Sequence, residues 1–337
     1  MTRTALVIGG QGVLGTCIAR EFSAAGWQVT RAGRRPENAP DFRLIDLDNP
    51  VDLRHACAGV DLVVNTVHHR ELAPERTVLR DGGTLVNLTD LTQPERAQLT
   101  GDGAESRGLV VADTGFSGIA YLVIAAMLRE HPGADAAEYS LMFSASGSSG
   151  RAGALFGHSL LAGSSHHEST IVPFPEPFGE RRCLEVGADQ NAVLRDRVGE
   201  VALRHYLCMQ PRPLHGMLLA LNSARLIGFL PSAPFTSGAR KAPSELSQEP
   251  ICEWVAISRG GERLAAQTLA GQGYYRMTAS ATVAFGETLL GPHTADNRKR
   301  GLRSIDELVT LAQVRTAVEE RGITIGNQPV TSVARPA

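Results

Sequence analysis

The chain has 337 residues, with 33 Lys+Arg against 35 Asp+Glu and a formal net charge of −2. That length accommodates two domains with a sizeable core, and a near-neutral balance without like-charge blocks excludes a nucleic-acid or anionic-membrane partner. No apolar run approaches the ~18 residues of a membrane span, and Cys17, Cys57, Cys183, Cys208 and Cys252 lack zinc or CxxC spacing, so they read as buried thiols of a reducing cytoplasm.

The first strand, over 5–8, begins almost at once and leaves no room for a signal peptide. It runs straight into Gly9-Gly10-x-Gly12-Val13-Leu14-Gly15 and then a helix over 13–25 with Ile18, Ala19, Phe22 and Ala25 at helical intervals. Strand, glycine turn and helix in this order form a dinucleotide-binding signature. Gly10 permits a tight turn, Gly12 lets backbone approach a pyrophosphate, and Gly15 lets helix pack on strand. The helix N-terminus then presents free N–H groups to the phosphates.

The second strand, over 28–31, ends at Gly33-Arg34-Arg35. An acidic residue at this tip accepts bonds from the 2′-hydroxyl of NAD, whereas arginine pairs with the 2′-phosphate of NADP. No Asp or Glu lies between Gly26 and Arg35, so Arg34 and Arg35 point to NADP(H). Further strands are expected over 42–45, 62–65, 84–87 and 109–112, with helices near 50–57, 72–80 and 94–100. This alternation predicts a doubly wound parallel sheet, a Rossmann domain over 1–130. Asp46 follows strand three and is a candidate for the adenine amine or for a turn. Asn65 and Thr66 end strand four, where nicotinamide nucleotides pass close to backbone. Gly115-Phe116-Ser-Gly118 follows strand six and opens an apolar helix over 119–128, with Gly115 expected at the cofactor and Phe116 at the substrate.

Beyond residue 138 the texture changes to a second, mixed α/β domain over 131–300, expected to bind substrate and pair with a second copy. A strand over 139–145 leads to the small-residue loop 146–153, which holds Ser148 and Ser149, and a helix over 154–161 carries His158. Backbone amides of such a loop suit a carboxylate or phosphate. A proline-fixed crossing segment follows over 173–179, and 231–250 reads as a loop or lid. Order resumes over 251–258 and 274–283, the latter running into a helix through 290. An amphipathic helix over 306–321 is expected to return to the first domain within a 301–337 segment.

Hydride transfer needs a proton donor in the crevice beyond the carboxyl ends of the strands. His68 and His69 follow strand four, Asp90 follows strand five, and Tyr121 lies at the start of the helix after strand six. His68, Asp90 and Tyr121 are the donor candidates; their structural alternatives are a loop histidine, a helix cap and a core tyrosine. His166-His167-Glu168 has no third metal ligand at sensible spacing, so no metal site is expected. None of Tyr121, Tyr139, Tyr206, Tyr274 or Tyr275 has lysine four residues on, which excludes the Tyr-x-x-x-Lys mechanism of short-chain dehydrogenases.

Together, Gly9–Gly15, Val63-Val-Asn-Thr66, Thr84-Leu-Val-Asn-Leu-Thr-Asp90, Gly115-Phe-Ser-Gly118, Gly273-Tyr-Tyr-Arg-Met-Thr-Ala279 and the segment 302–325 resemble the saccharopine dehydrogenase-like reductase superfamily. This group includes carboxynorspermidine-type synthases and trans-acting enoyl reductases. The resemblance implies a cytoplasmic NADPH-dependent reductase acting on an imine-type C=N bond of a small or amino-acid-derived substrate. Enoyl C=C reduction is the alternative within enzymes, and a non-catalytic NADP-binding sensor or scaffold is the alternative outside them. The sequence departs from the family in two places: no lysine occupies a catalytic position, and His68-His69 replaces the usual Gly-Pro.

Overall fold

Short apolar runs separated by amphipathic segments give β1 (Thr4–Ile8), α1 (Val13–Ala24), β2 (Gln28–Gly33), β3 (Phe42–Leu44), α2 (Pro50–Cys57), β4 (Leu62–Asn65), α3 (Ala73–Asp81), β5 (Thr84–Asn87), α4 (Gln93–Gly101), β6 (Leu109–Ala112) and α5 (Gly115–Glu130). There follow β7 (Ala136–Ser144), β8 (Ser169–Pro173), β9 (Glu180–Val186), β10 (Ala202–Gln210), α6 (Arg212–Ser223), β11 (Pro250–Arg259), β12 (Glu262–Gln272) and α7 (Tyr274–Leu289). The chain closes with β13 (Gly301–Ser304), α8 (Ile305–Leu308), α9 (Leu311–Glu320) and β14 (Thr324–Asn327). The structure is a computed structural model and describes residues 2–101, 106–144, 157–158, 160–161, 164–186, 201–231, 249–291 and 299–327.

Two units emerge, one of Met1–Leu122 with Tyr275–Arg321 and one of Val123–Tyr274 with Gly322–Ala337. In the first, seven parallel strands run in the order β13-β6-β5-β4-β1-β2-β3, the doubly wound arrangement extended by one strand. Alternation along the strands splits the core. Leu6, Ile8, Val63 and Leu85 join Leu53 of α2, Leu79 of α3 and Leu99 of α4 in one buried cluster. Leu62 faces the other way, where a Cβ on Gly286 of α7 would lie 2.7 Å from its Cδ2 and 3.4 Å from the Phe22 ring of α1. Phe22 is fully buried and meets Trp27 edge to face, with ring centroids 5.0 Å apart. Phe22→Ala should therefore cost about 3–5 kcal/mol of stability, read from the midpoint of urea unfolding; a loss under ~1 kcal/mol would contradict this packing.

The second unit is a mixed sheet in the order β14-β12-β11-β7-β10-β9-β8, with β7 and β10 parallel and the remaining pairs antiparallel. Three expectations need correcting. Residues 173–179 do not cross the sheet; they turn between the antiparallel strands β8 and β9. The helix expected over 306–321 is broken, because Val309 is extended (φ −133, ψ 146) and Thr310 starts α9 afresh with a capping box to Gln313. The chain also leaves the first unit inside α5 and re-enters it at Tyr275, so α7 belongs to the first unit rather than to a 131–300 domain. The returning segment brings strand β13 as well as helix, pairing Gly301–Ser304 with Leu109–Ala112. Among the described residues no helix is long and apolar enough to cross a membrane.

Candidate active site

Parallel strands all end on one edge of their sheet, so the loops after β1, β2, β4, β5 and β6 gather there. After β1, Gly9 adopts φ +82, and its N–H and that of Gly10 both donate to the Ala32 carbonyl at 2.9 and 3.0 Å. A Cβ on Gly10 would fall 2.7 Å from Arg31 Cβ, and one on Gly15 only 2.2 Å from the Gly9 carbonyl. Gly12 differs: it is exposed, and a Cβ there meets only the Gly9 oxygen, at 3.2 Å. The chain thus packs tightly beneath the loop and leaves open space above it. The N–H groups of Val13 and Leu14 head α1, whose first turn lacks an acidic residue and whose geometry gives them no intrahelical acceptor. An open cradle over free helix N–H groups fits a pyrophosphate.

The tip of β2 contains more than its two arginines. Arg31 is tied to Glu37 at 2.6 Å and Asp41 at 2.7 Å, whereas Arg34 and Arg35 are exposed and form no ion pair among the described residues. Gln11, inside the glycine loop, donates to the Arg35 carbonyl at 3.0 Å and to Glu37 at 3.3 Å, linking the loop to the tip. Asp46 lies further off, its Oδ1 accepting the Asp48 N–H at 3.0 Å, which makes it a turn residue.

After β4, Thr66 is half-buried and donates to the Ile8 carbonyl at 2.8 Å. Asn65, expected to meet the nucleotide through its backbone, has a fully buried side chain that is engaged elsewhere. Its amide donates to Glu75 (2.8 Å) and Asn87 (3.1 Å), and its carbonyl accepts the Val67 N–H (3.0 Å). Only its backbone remains for a nucleotide. Burial pushes Glu75 above the usual carboxyl range, and its second oxygen has no hydrogen-bond partner.

His68 is exposed, with Nε2 3.2 Å from Glu95, and His69 faces Asp48 at 3.1 Å. Thr92 rather than Asp90 caps α4, its N–H and hydroxyl both donating to Glu95 at 2.8 Å. That leaves Asp90 free of the capping role. Its surface is open, yet protein atoms crowd it; lost hydration, then the Asp113 carboxylate, push its pKa up to about 6 against the pull of Arg96 and His68. Water at the exposed carboxyl limits the part of that rise due to lost hydration, and the paired Arg96 offsets much of the Asp113 charge. Asp113 sits at φ +56 directly after β6, gripped through both oxygens by Arg96 and accepting the Ser304 hydroxyl of β13 at 2.5 Å. A folded-state carboxyl raised from 3.8 to about 6 keeps its proton after the unfolded chain has lost it. Wild-type stability should therefore fall as pH rises from about 4 to about 6. Asp90→Asn should unfold at a higher temperature at pH ~7 and show no gain below pH ~4; a pH-independent change would contradict the raised pKa.

Gly115 starts α5 at φ +75, within 3.2 Å of Leu88 for an added Cβ. Tyr121 is half-buried in the same helix. Phe116, expected to touch substrate, is instead among the largest fully buried side chains, because the α5 turn directs it into the core. His158 belongs to the second unit, where Nε2 meets the Leu230 carbonyl at 2.8 Å. Ser148 and Ser149 lie outside the described residues. Among the described residues no group of His, Cys, Asp or Glu could hold a metal ion. Gln11, Glu37, Glu75, Arg96, Asp113 and Ser304 escaped the sequence reading. Only position marked them, since each lies within two residues of a strand, loop or helix end already singled out or is brought there by the fold.

A model of the NAD dependent epimerase/dehydratase family matches residues 5–97. No curated protein sequence matches the chain. Among solved structures, apo saccharopine dehydrogenase (L-Glu forming) from Saccharomyces cerevisiae is similar over 97% of this chain and 100% of its own, with a TM-score of 0.60 at 13% identity. Dipicolinate-bound dihydrodipicolinate reductase from Paenisporosarcina sp. TG-14 is similar over 92% and 100%, with a TM-score of 0.46 at 10% identity. The chain therefore has a saccharopine dehydrogenase-like α/β fold whose first unit is a Rossmann unit of the NAD(P)-binding type.

Proposed function

We propose that the protein is an NADPH-dependent reductase that delivers hydride to a C=N bond of a small organic or amino-acid-derived substrate. The observation that carries this reading is the open glycine loop at the head of α1, with the Asp90 carboxyl on the same edge of the sheet. The exposed Gly12 loop with the Val13 and Leu14 amides would hold the pyrophosphate, and Arg34 and Arg35 the 2′-phosphate. The bound nicotinamide would supply the hydride.

The protein's own contribution is a proton and its placement. A carboxyl that stays partly protonated near neutrality can protonate the nitrogen that gains electron density as the C=N bond is reduced. The Arg96–Asp113–Ser304 cluster fixes the carboxylate whose charge sustains that protonation. His68, anchored to Glu95, adds a second ionisable group nearby. The family resemblance supports C=N rather than C=C reduction, and the saccharopine dehydrogenase-like fold is compatible with it.

The same reading makes the protein a cytoplasmic homodimer, as the resemblance implies, with the exposed Phe229 of the second unit a candidate for the dimer face. The test is NADPH consumption against panels of cyclic imines, keto acids with amines, and enoyl esters. Imine-dependent turnover that falls about a hundredfold in Asp90→Asn, with NADPH affinity kept, supports the assignment. Turnover only with enoyl esters, or none at all with tight NADPH binding, overturns it.

A further inference from the structure

The second unit holds a pair of cysteines that hydride transfer does not use. Strands β9 and β10 pair antiparallel with Leu207 opposite Leu184, so the next step along the ladder sets Cys208 opposite Cys183. Both side chains are fully buried in one cluster with Val172, Phe174 and Phe178, and so share a face of the sheet. Directly opposed residues in an antiparallel pair have Cα atoms about 4.5–5.5 Å apart, inside the range a disulfide spans. On the other side of Cys208 the register places Met142, which separates it from Cys252. Cys183 is thus the one partner within reach.

His215 completes the cluster. It lies on the inner stripe of α6 with Leu218 and Asn222. Its Nδ1 accepts the Met209 N–H at 3.3 Å and its Nε2 donates to the Arg182 carbonyl at 2.5 Å. Met209 and Arg182 each adjoin one of the two cysteines, so the imidazole bridges the two strands at the level of the pair.

We infer that Cys183 and Cys208 form a redox-active dithiol, a modification site at which a hydroperoxide converts the pair reversibly into a disulfide. The two thiols are unequal. Its bond to Cys183 holds Cys208 below the usual thiol range despite burial, whereas burial holds Cys183 well above it. The Cys183 thiol donates to the Arg181 carbonyl at 3.7 Å and so keeps its proton, which leaves Cys208 as the nucleophile and Cys183 as the resolving thiol. The Cys208 thiolate attacks the outer peroxide oxygen; an S–O bond forms, the O–O bond breaks, and hydroxide or alkoxide leaves and takes up a proton. The Cys183 sulfur then attacks the Cys208 sulfenic acid. The S–S bond forms, the S–O bond breaks, and the departing hydroxide leaves as water with the Cys183 proton. Two thiols lose two electrons and the hydroperoxide gains them. Full burial excludes bulky disulfides as the oxidant and leaves a small hydroperoxide.

The test treats the folded full-length protein with hydrogen peroxide, quenches, then unfolds and alkylates it. Two of the five thiols should be lost, with a peptide linking residues 183 and 208 that dithiothreitol releases. Cys183→Ser should yield no link and leave Cys208 carrying one oxygen, trapped by a dimedone-type reagent. Retention of all five thiols under peroxide that oxidises a free-thiol control, or a link between any other pair, would overturn the inference. The wild-type mapping stands alone if the variant folds poorly, and it reads nothing from turnover, so it is independent of the reductase assignment.

Discussion

Gly12→Val should keep the fold and lose dinucleotide binding, by at least about a thousandfold in affinity. The native backbone there (φ −76, ψ 161) is one that any L-residue adopts, and an added Cβ meets only a single oxygen at 3.2 Å. The isopropyl group would project into the open space where the loop faces a pyrophosphate, and would prevent close approach. The effect is confined to the ligand, so the unfolding temperature should stay within a few degrees of wild type while calorimetry with NADPH shows no binding heat. Gly15→Val is the contrasting control. Its Cβ would lie 2.2 Å from the Gly9 carbonyl, so it should damage folding itself. NADPH binding retained by a folded Gly12→Val protein would mean that the pyrophosphate lies elsewhere.

The second large effect is expected at the tip of β2. Arg34→Ala with Arg35→Ala should weaken NADPH by about two to three orders of magnitude and NADH by no more than a few fold. Each bond from a guanidinium to a phosphate oxygen contributes about 1.5–3 kcal/mol, and NADH carries no phosphate there. Arg31 cannot substitute, since Glu37 and Asp41 already engage it. The two exposed arginines are the cations left, on a loop that Gln11 fastens to the phosphate-binding turn. Equal losses for both nucleotides, measured by fluorescence titration, would remove the 2′-phosphate assignment.

The first unit was legible because its strands are continuous apolar runs. Leu62–Asn65, Thr84–Asn87 and Leu109–Ala112 have the ends the composition suggests, as parallel strands buried on both faces should. The second sheet was far less visible. Strand β9 reads Glu-Arg-Arg-Cys-Leu-Glu-Val and β12 begins Glu-Arg-Leu-Ala-Ala-Gln, patterns whose charges are tolerated because antiparallel ladders leave positions facing solvent. Strand β13 is four residues long and exists because β6 offers an unpaired edge, which no local pattern records. In the candidate site, the places of the glycine loop, Arg34, Arg35, His68 and Asp90 just after strands were readable from the pattern. The Arg96–Asp113–Ser304 cluster was not. It joins residues from three elements, and the left-handed backbone of Asp113 leaves no compositional mark. Phe116 shows the converse failure, correct in location but turned inward by packing.

The central claim is tested most directly by calorimetric titration of the unmodified full-length protein with NADPH and with NADH in one buffer. NADPH should bind with one-site stoichiometry and at least about tenfold more tightly than NADH. Binding of neither nucleotide, or tighter binding of NADH, would contradict the account.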